Sequence, residues 1–197
     1  MPPPRLIVGI SGASGVVYGV RALQMLRQLG VETHLVVSTS GQVMRVHETS
    51  LSRGELEALA DVVYRPTDLA APISSGSFQT LGMLVAPCSM RTLAEIANGV
   101  SSSLLTRAAD VVLKERRRLV VMAREAPLNL VQLRNMTAVT ESGGVVFPPV
   151  PAFYTQPTTL AQVVDDTVAR ALDLFGLEVD TLPRWGERPS MRRGDAQ

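Results

Sequence analysis

The residues able to do chemistry fall in a few short clusters. The first is Gly9-Ile10-Ser11-Gly12-Ala13-Ser14-Gly15, overlapping the end of an apolar run. Small residues at such a turn let backbone N–H groups and a helix N-terminus approach an anion, and the Ser14 hydroxyl adds a donor. A tight strand-to-helix turn would use the same residues with no ligand. The cluster is not a P-loop, because no Gly-Lys-Ser/Thr follows. Its glycines at 9, 12 and 15 also miss the GxGxxG spacing of nicotinamide sites. The next strand ends in Ser38, not in an acid for a ribose, which further disfavours a nicotinamide cofactor.

Ser38-Thr39-Ser40 supplies more hydroxyls, and Ala86-Pro87-Cys88-Ser89-Met90-Arg91-Thr92 brings hydroxyls and a cation to the start of a helix. Arg124-Glu125 follows another apolar run, where a charged pair reads as functional. Three strand ends with phosphate- or hydroxyl-binding groups suit a large phosphorylated cofactor. Cys88 at a helix N-terminus would gain thiolate character. Neither His34, inside a strand, nor His47, late in a helix, is placed to serve it, so no catalytic thiol is expected. Those two histidines lie on different elements, and no metal site is expected from them. Arg107 and Asp110 stand at i, i+3 and read as a helix ion pair. Among 19 basic residues only Lys114 is lysine. Codon bias towards arginine accounts for most of this, yet a lone lysine hints that arginine does not suit that position.

Apolar periodicity supplies the frame. Continuous β-rich runs at 6–10, 33–37, 83–86, 119–123 and 145–147 alternate with helical spacing at 16–29, 89–97, 104–115, 131–140 and 160–175. Ser38 to Gly41 offers N-caps for a further helix to about Thr49, Ser89 caps the next, and Gly30 closes the first. Short, wholly apolar strands between helices predict a parallel sheet covered on both faces, the doubly wound α/β class. Ligands of such sheets bind at the carboxyl ends of the strands, where all these clusters fall.

Composition agrees and excludes much else. The 197 residues are 46% hydrophobic and 19% charged, enough for one cored domain. One cysteine excludes a disulfide framework and cysteine-rich zinc sites. A net charge of +1 without a basic surplus argues against nucleic acid. No apolar run nears the roughly 18 residues of a membrane span, and no signal peptide is apparent, so reducing cytosol is the expected setting. Aromatics are scarce, and five of the eight (Phe147, Phe153, Tyr154, Phe175 and Trp185) lie after residue 146.

Nine ordered blocks closely resemble the UbiX family of flavin prenyltransferases: GISGASGVVYGVRAL, ETHLVVSTSG, Glu48-Thr49, ISSGSFQT, APCSMRTLA, TRAADVVLKERR, AREAPL, PPVPAFYTQP and PRWGE. The resemblance runs from about residue 5 to 187. It implies a Rossmann-like flavoprotein domain over 1–187, with a polar tail at 188–197. It also implies an activity: reduced FMN, held as substrate, is alkylated at N5 and C6 by dimethylallyl monophosphate. The product, prenylated FMN, goes to a UbiD-type decarboxylase. By resemblance, Gly12, Ala13, Ser14, Ser38, Ser89, Met90, Arg91, Thr92 and Arg124 hold FMN. Ser75, Tyr154, Arg170 and Trp185 serve the prenyl phosphate, joined by Lys114 from a neighbouring subunit. Ser14, Glu48, Glu125 and Lys114 are the catalytic group, no metal is required, and the family commonly forms dodecamers. The late aromatics surround the pocket so implied. Leu69 stands where some members carry Trp, and Arg91 occupies a variable loop position. The competing readings are a flavin-dependent cysteine decarboxylase, disfavoured by PCSMRT in place of a PASANT-like segment, and a non-catalytic flavin carrier.

Overall fold

The computed structural model describes residues 3–179. Six strands form one sheet: β1 (Arg5–Ile10), β2 (Glu32–Val37), β3 (Val62–Tyr64), β4 (Gly82–Cys88), β5 (Arg118–Ala123) and β6 (Val145–Val146). All neighbouring pairs are parallel, in the order β3-β2-β1-β4-β5-β6. The predicted doubly wound sheet is therefore present, with its switch point between β1 and β4. The wholly apolar strand sequences have a direct cause. Alternate side chains enter opposite faces, and both faces are covered.

Seven α-helices accompany the sheet: α1 (Val16–Gln28), α2 (Thr39–Glu48), α3 (Arg53–Glu57), α4 (Met90–Ala97), α5 (Leu104–Lys114), α6 (Leu130–Glu141) and α7 (Leu160–Asp173). One core joins Leu6, Val8, Ile10, Leu35 and Leu84 to Leu23 and Leu26 of α1 and to Val168 and Leu172 of α7. The other joins Ile7, Val36, Met83, Val85 and Val121 to Leu93 of α4, Leu105 and Val112 of α5, and Val139 of α6.

The expected caps form. The Ser38 and Ser89 hydroxyls accept from the Gly41 and Thr92 N–H groups, and Gly30 leaves α1 with a φ of 67°. Two elements were not expected, α3 and β3. The strand is three residues long at the sheet edge, with Val63 exposed, so its pattern is too short and too wet to read. Asp61 secures its entry by accepting from the Thr33 N–H and hydroxyl at 2.8 and 2.9 Å.

Candidate active site

A cleft of about 980 Å³ opens at the carboxyl ends of the strands, above the switch point. Four loops meet there, and their backbones are tied together. Buried Ser11 donates its hydroxyl to the Pro87 carbonyl at 3.0 Å and accepts from the Ser89 N–H at 2.8 Å. The Ser38 N–H reaches the Ile10 carbonyl, and the Arg124 N–H reaches the Cys88 carbonyl. The turns after β1, β2, β4 and β5 are thus tied to one another by the protein's own hydrogen bonds.

Sequence-predicted residues from all four turns line this one cleft: Gly12, Ala13 and Ser14, Ser38, Ser89, Met90, Arg91 and Thr92, then Arg124 and Glu125. Gly12 permits the close approach of two turns, since a Cβ there would collide with the Ser40 side chain. The Ser89 hydroxyl donates to Thr92 Oγ1 at 3.1 Å, and Arg91 is held by Glu95 at 3.0 Å. Glu95 also accepts from the Ser102 hydroxyl at 2.6 Å.

Glu48 is not among the cleft's lining residues but bonds to one of them, Ser14, and to the start of α1. Gly15, with a φ of 108°, begins α1 without any side-chain cap. The Glu48 carboxylate supplies the missing acceptor, taking the Gly15 and Val16 N–H groups at 2.8 and 2.9 Å. Partial burial pushes its carboxyl up. The Ser14 hydroxyl, the Val16 and Gly15 N–H groups and the Arg124 guanidinium outweigh that and hold it below the ordinary value. Glu48 is therefore ionised at neutral pH and accepts from Ser14. Tyr18, not singled out in the sequence, lies within reach of the same arginine, and burial raises its phenol.

Cys88 is fully buried, and burial pushes its thiol far above the ordinary range, as expected for a residue without a nucleophilic role. His34 is buried between Tyr64 and Glu32, at 3.0 and 2.9 Å, and forms no pair with the cysteine. Arg107 and Asp110 form the expected i, i+3 ion pair at 2.7 Å.

Other expected residues lie apart from the cleft. Lys114 ends α5, whereas Leu105 and Thr106 near its start line the cleft. At roughly 1.5 Å per residue, the ends of α5 are about 15 Å apart. Ser75 is exposed beside Ser77, their hydroxyls 2.9 Å apart. Arg170 pairs with Asp173 at 2.7 Å, and Tyr154 is half exposed; neither lines this cleft. Trp185, the expected domain end at 187 and the tail 188–197 lie outside the described residues. The late aromatics among the described residues do not line this cleft: Phe147 and Phe175 pack on the α1/α7 core, while Phe153 is exposed.

Much of the cleft's remaining wall carries little signal in the sequence. Pro66 and Thr67 arrive from the unexpected edge strand, and Ser102, Ser103 and Thr106 from the turn into α5. The one local signal was the S-x-x-T capping box of Ser103 and Thr106.

A doubly wound sheet with hydroxyls, helix N-termini and an arginine gathered at its switch point defines a nucleotide-binding domain of the flavoprotein kind. The family model described as flavoprotein matches residues 1–173. The chain is 60% identical over 181 residues to a flavin prenyltransferase UbiX of Neisseria meningitidis, covering 92% of this chain and 96% of that one. Among solved structures, AnUbiX (PadA1) in complex with FMN and dimethylallyl pyrophosphate superposes with a TM-score of 0.92 at 48% identity, over 93% of this chain and 98% of that one. A dodecameric FMN-dependent UbiX-like decarboxylase from Escherichia coli O157:H7 gives 0.89 at 50% identity, over 92% and 98%. The chain belongs to the flavoprotein family and, within it, to the UbiX flavin prenyltransferases.

Proposed function

We propose that this chain transfers the dimethylallyl group of dimethylallyl monophosphate to reduced FMN, and passes the prenylated FMN to a UbiD-type decarboxylase. The observation that carries the proposal is the single cleft formed by four strand-end turns, in a chain 60% identical to a flavin prenyltransferase. Its lining suits a flavin mononucleotide. Ser38, Ser40, Thr92 and the start of α4 offer donors to a phosphate and a polyol, and Val43, Met44 and Leu105 offer apolar surface to a ring.

When bound, the reduced flavin supplies two nucleophilic positions, N5 and C6, and leaves heavier by C5H8 as phosphate departs with the C–O electron pair. The chain's part is to manage charge and protons around that exchange. Lys114, Arg170 and the Tyr154 hydroxyl hold the departing phosphate, with Ser75 beside them. Trp185 offers an aromatic face to the allyl cation, the more needed because Leu69 is aliphatic. Ionised Glu48 orients the Ser14 hydroxyl as a proton relay, and Glu125, or the released phosphate, accepts a proton.

The length of α5 sets Lys114 about 15 Å from the cleft-lining start of the same helix. A chain whose own cleft lies at one end of α5 uses Lys114, at the other end, in a neighbour's site. The working form is accordingly a homo-oligomer, a dodecamer in this reading, with active sites at subunit interfaces. It works in the cytoplasm. Among the described residues no helix is long and apolar enough to cross a membrane.

The test is anaerobic incubation of the protein with reduced FMN and dimethylallyl monophosphate, followed by mass measurement of the extracted flavin. An increase of one C5H8 is expected. Unchanged flavin, with the protein shown to be folded, refutes the activity and leaves the carrier reading.

A further inference from the structure

We infer that Glu115 and Gly76 are positioning residues for Lys114, holding its ammonium against the 75–78 loop where it meets the prenyl phosphate. The inference rests on the proposed role of Lys114. Lys114 and Glu115 close α5, and the ammonium pairs with the Glu115 carboxylate. An exposed ion pair between adjacent residues usually contributes little and holds no fixed geometry. Here the loop removes that freedom. A Cβ built on Gly76 would overlap the Glu115 carboxylate and stand 2.9 Å from Lys114 Nζ. The two side-chain tips therefore occupy the space that glycine leaves vacant.

The loop itself is held firmly. Arg117 donates one guanidinium nitrogen to the Gly76 carbonyl at 2.6 Å and another to the Phe78 carbonyl at 2.7 Å. The Phe78 ring is in turn set edge-on to buried His34, with Arg5 over its face. A planar fork on two carbonyls fixes the loop in orientation as well as distance. The ammonium is thereby held on a fixed scaffold at Gly76, the residue between Ser75 and Ser77. Its preorganisation lowers the cost of capturing a phosphate.

Both partners of the Gly76 contact are ends of flexible side chains, so Gly76→Ala displaces them without forcing the backbone. The experiment measures steady-state prenylation by the intact oligomer for Gly76→Ala, Glu115→Ala, their double variant and Lys114→Ala. Gly76→Ala and Glu115→Ala are each expected to raise KM for dimethylallyl monophosphate about tenfold, the scale of one charge-assisted hydrogen bond, whereas Lys114→Ala loses turnover as well. In the first two, kcat is expected to change much less, and flavin affinity and thermal unfolding to stay at the parent values. The double variant should be no worse than the poorer single one, because both remove the same placement. KM at or below the parent value in Gly76→Ala and Glu115→Ala, with Lys114→Ala impaired, overturns the inference and leaves the lysine's role standing. An unimpaired Lys114→Ala overturns that role and the inference together.

Discussion

Replacing Glu48 by Gln tests whether its charge, and not only its oxygen, holds the start of α1. The carboxylate takes two N–H groups of a helix that has no side-chain cap of its own, and it sits at the positive end of the helix dipole. Losing an N-cap acceptor costs about 0.5–2 kcal/mol, and a charge at a helix terminus contributes about 0.3–1 kcal/mol. Gln keeps one acceptor, and solvent screens this exposed group, so about 0.5–1 kcal/mol of destabilisation is expected at neutral pH. The pH dependence fixes the cause. A carboxyl with a depressed folded-state pKa contributes fully above its unfolded value, which is ordinarily 4.5. That contribution disappears as pH falls through the lower folded value. Urea unfolding of the parent and of Glu48→Gln should therefore show a gap at pH 7 that closes on acidification below the ordinary carboxylate value. A gap that persists undiminished in acid, or none at pH 7, would refute the assignment.

Two further outcomes concern the turns that surround the cleft. Gly12→Val forces a branched side chain into the space held by Ser40, and flavin fluorescence titration should show affinity about tenfold weaker or worse, with the circular dichroism unchanged. Retained affinity would mean that the two turns do not need their close approach. The buried Cys88 should resist alkylation in the native protein, and Cys88→Ala should prenylate at about the parent rate, within roughly twofold. Rapid labelling, or loss of turnover in a folded variant, would assign the thiol a role that its burial denies it.

The legibility of the fold tracks how local each signal is. β1, β2, β4 and β5 read as strands because both of their faces are buried, which leaves continuous apolar runs. Ser38, Ser89 and Gly30 read as helix boundaries because a cap bonds within its own turn. β3 was missed because an edge strand of three residues carries almost no pattern, and its loss hid Pro66 and Thr67 as cleft residues. Glu48 resembled a family carboxylate, yet no spacing shows that it caps a helix beginning 32 residues earlier.

By itself, the amino-acid sequence determined the parallel α/β class, the strand-end turns that had to carry the chemistry, and a family resemblance that continues through nine blocks. Those depend on periodicity, turn residues and order along the chain. The tertiary structure alone decided which turns share a cleft, that Glu48 bonds Ser14 and the start of α1, and that Lys114 rests against Gly76. Such relations are distances between segments far apart in sequence. They are set by sheet order and by side-chain tips meeting in space, and neither leaves a trace in the local run of residues.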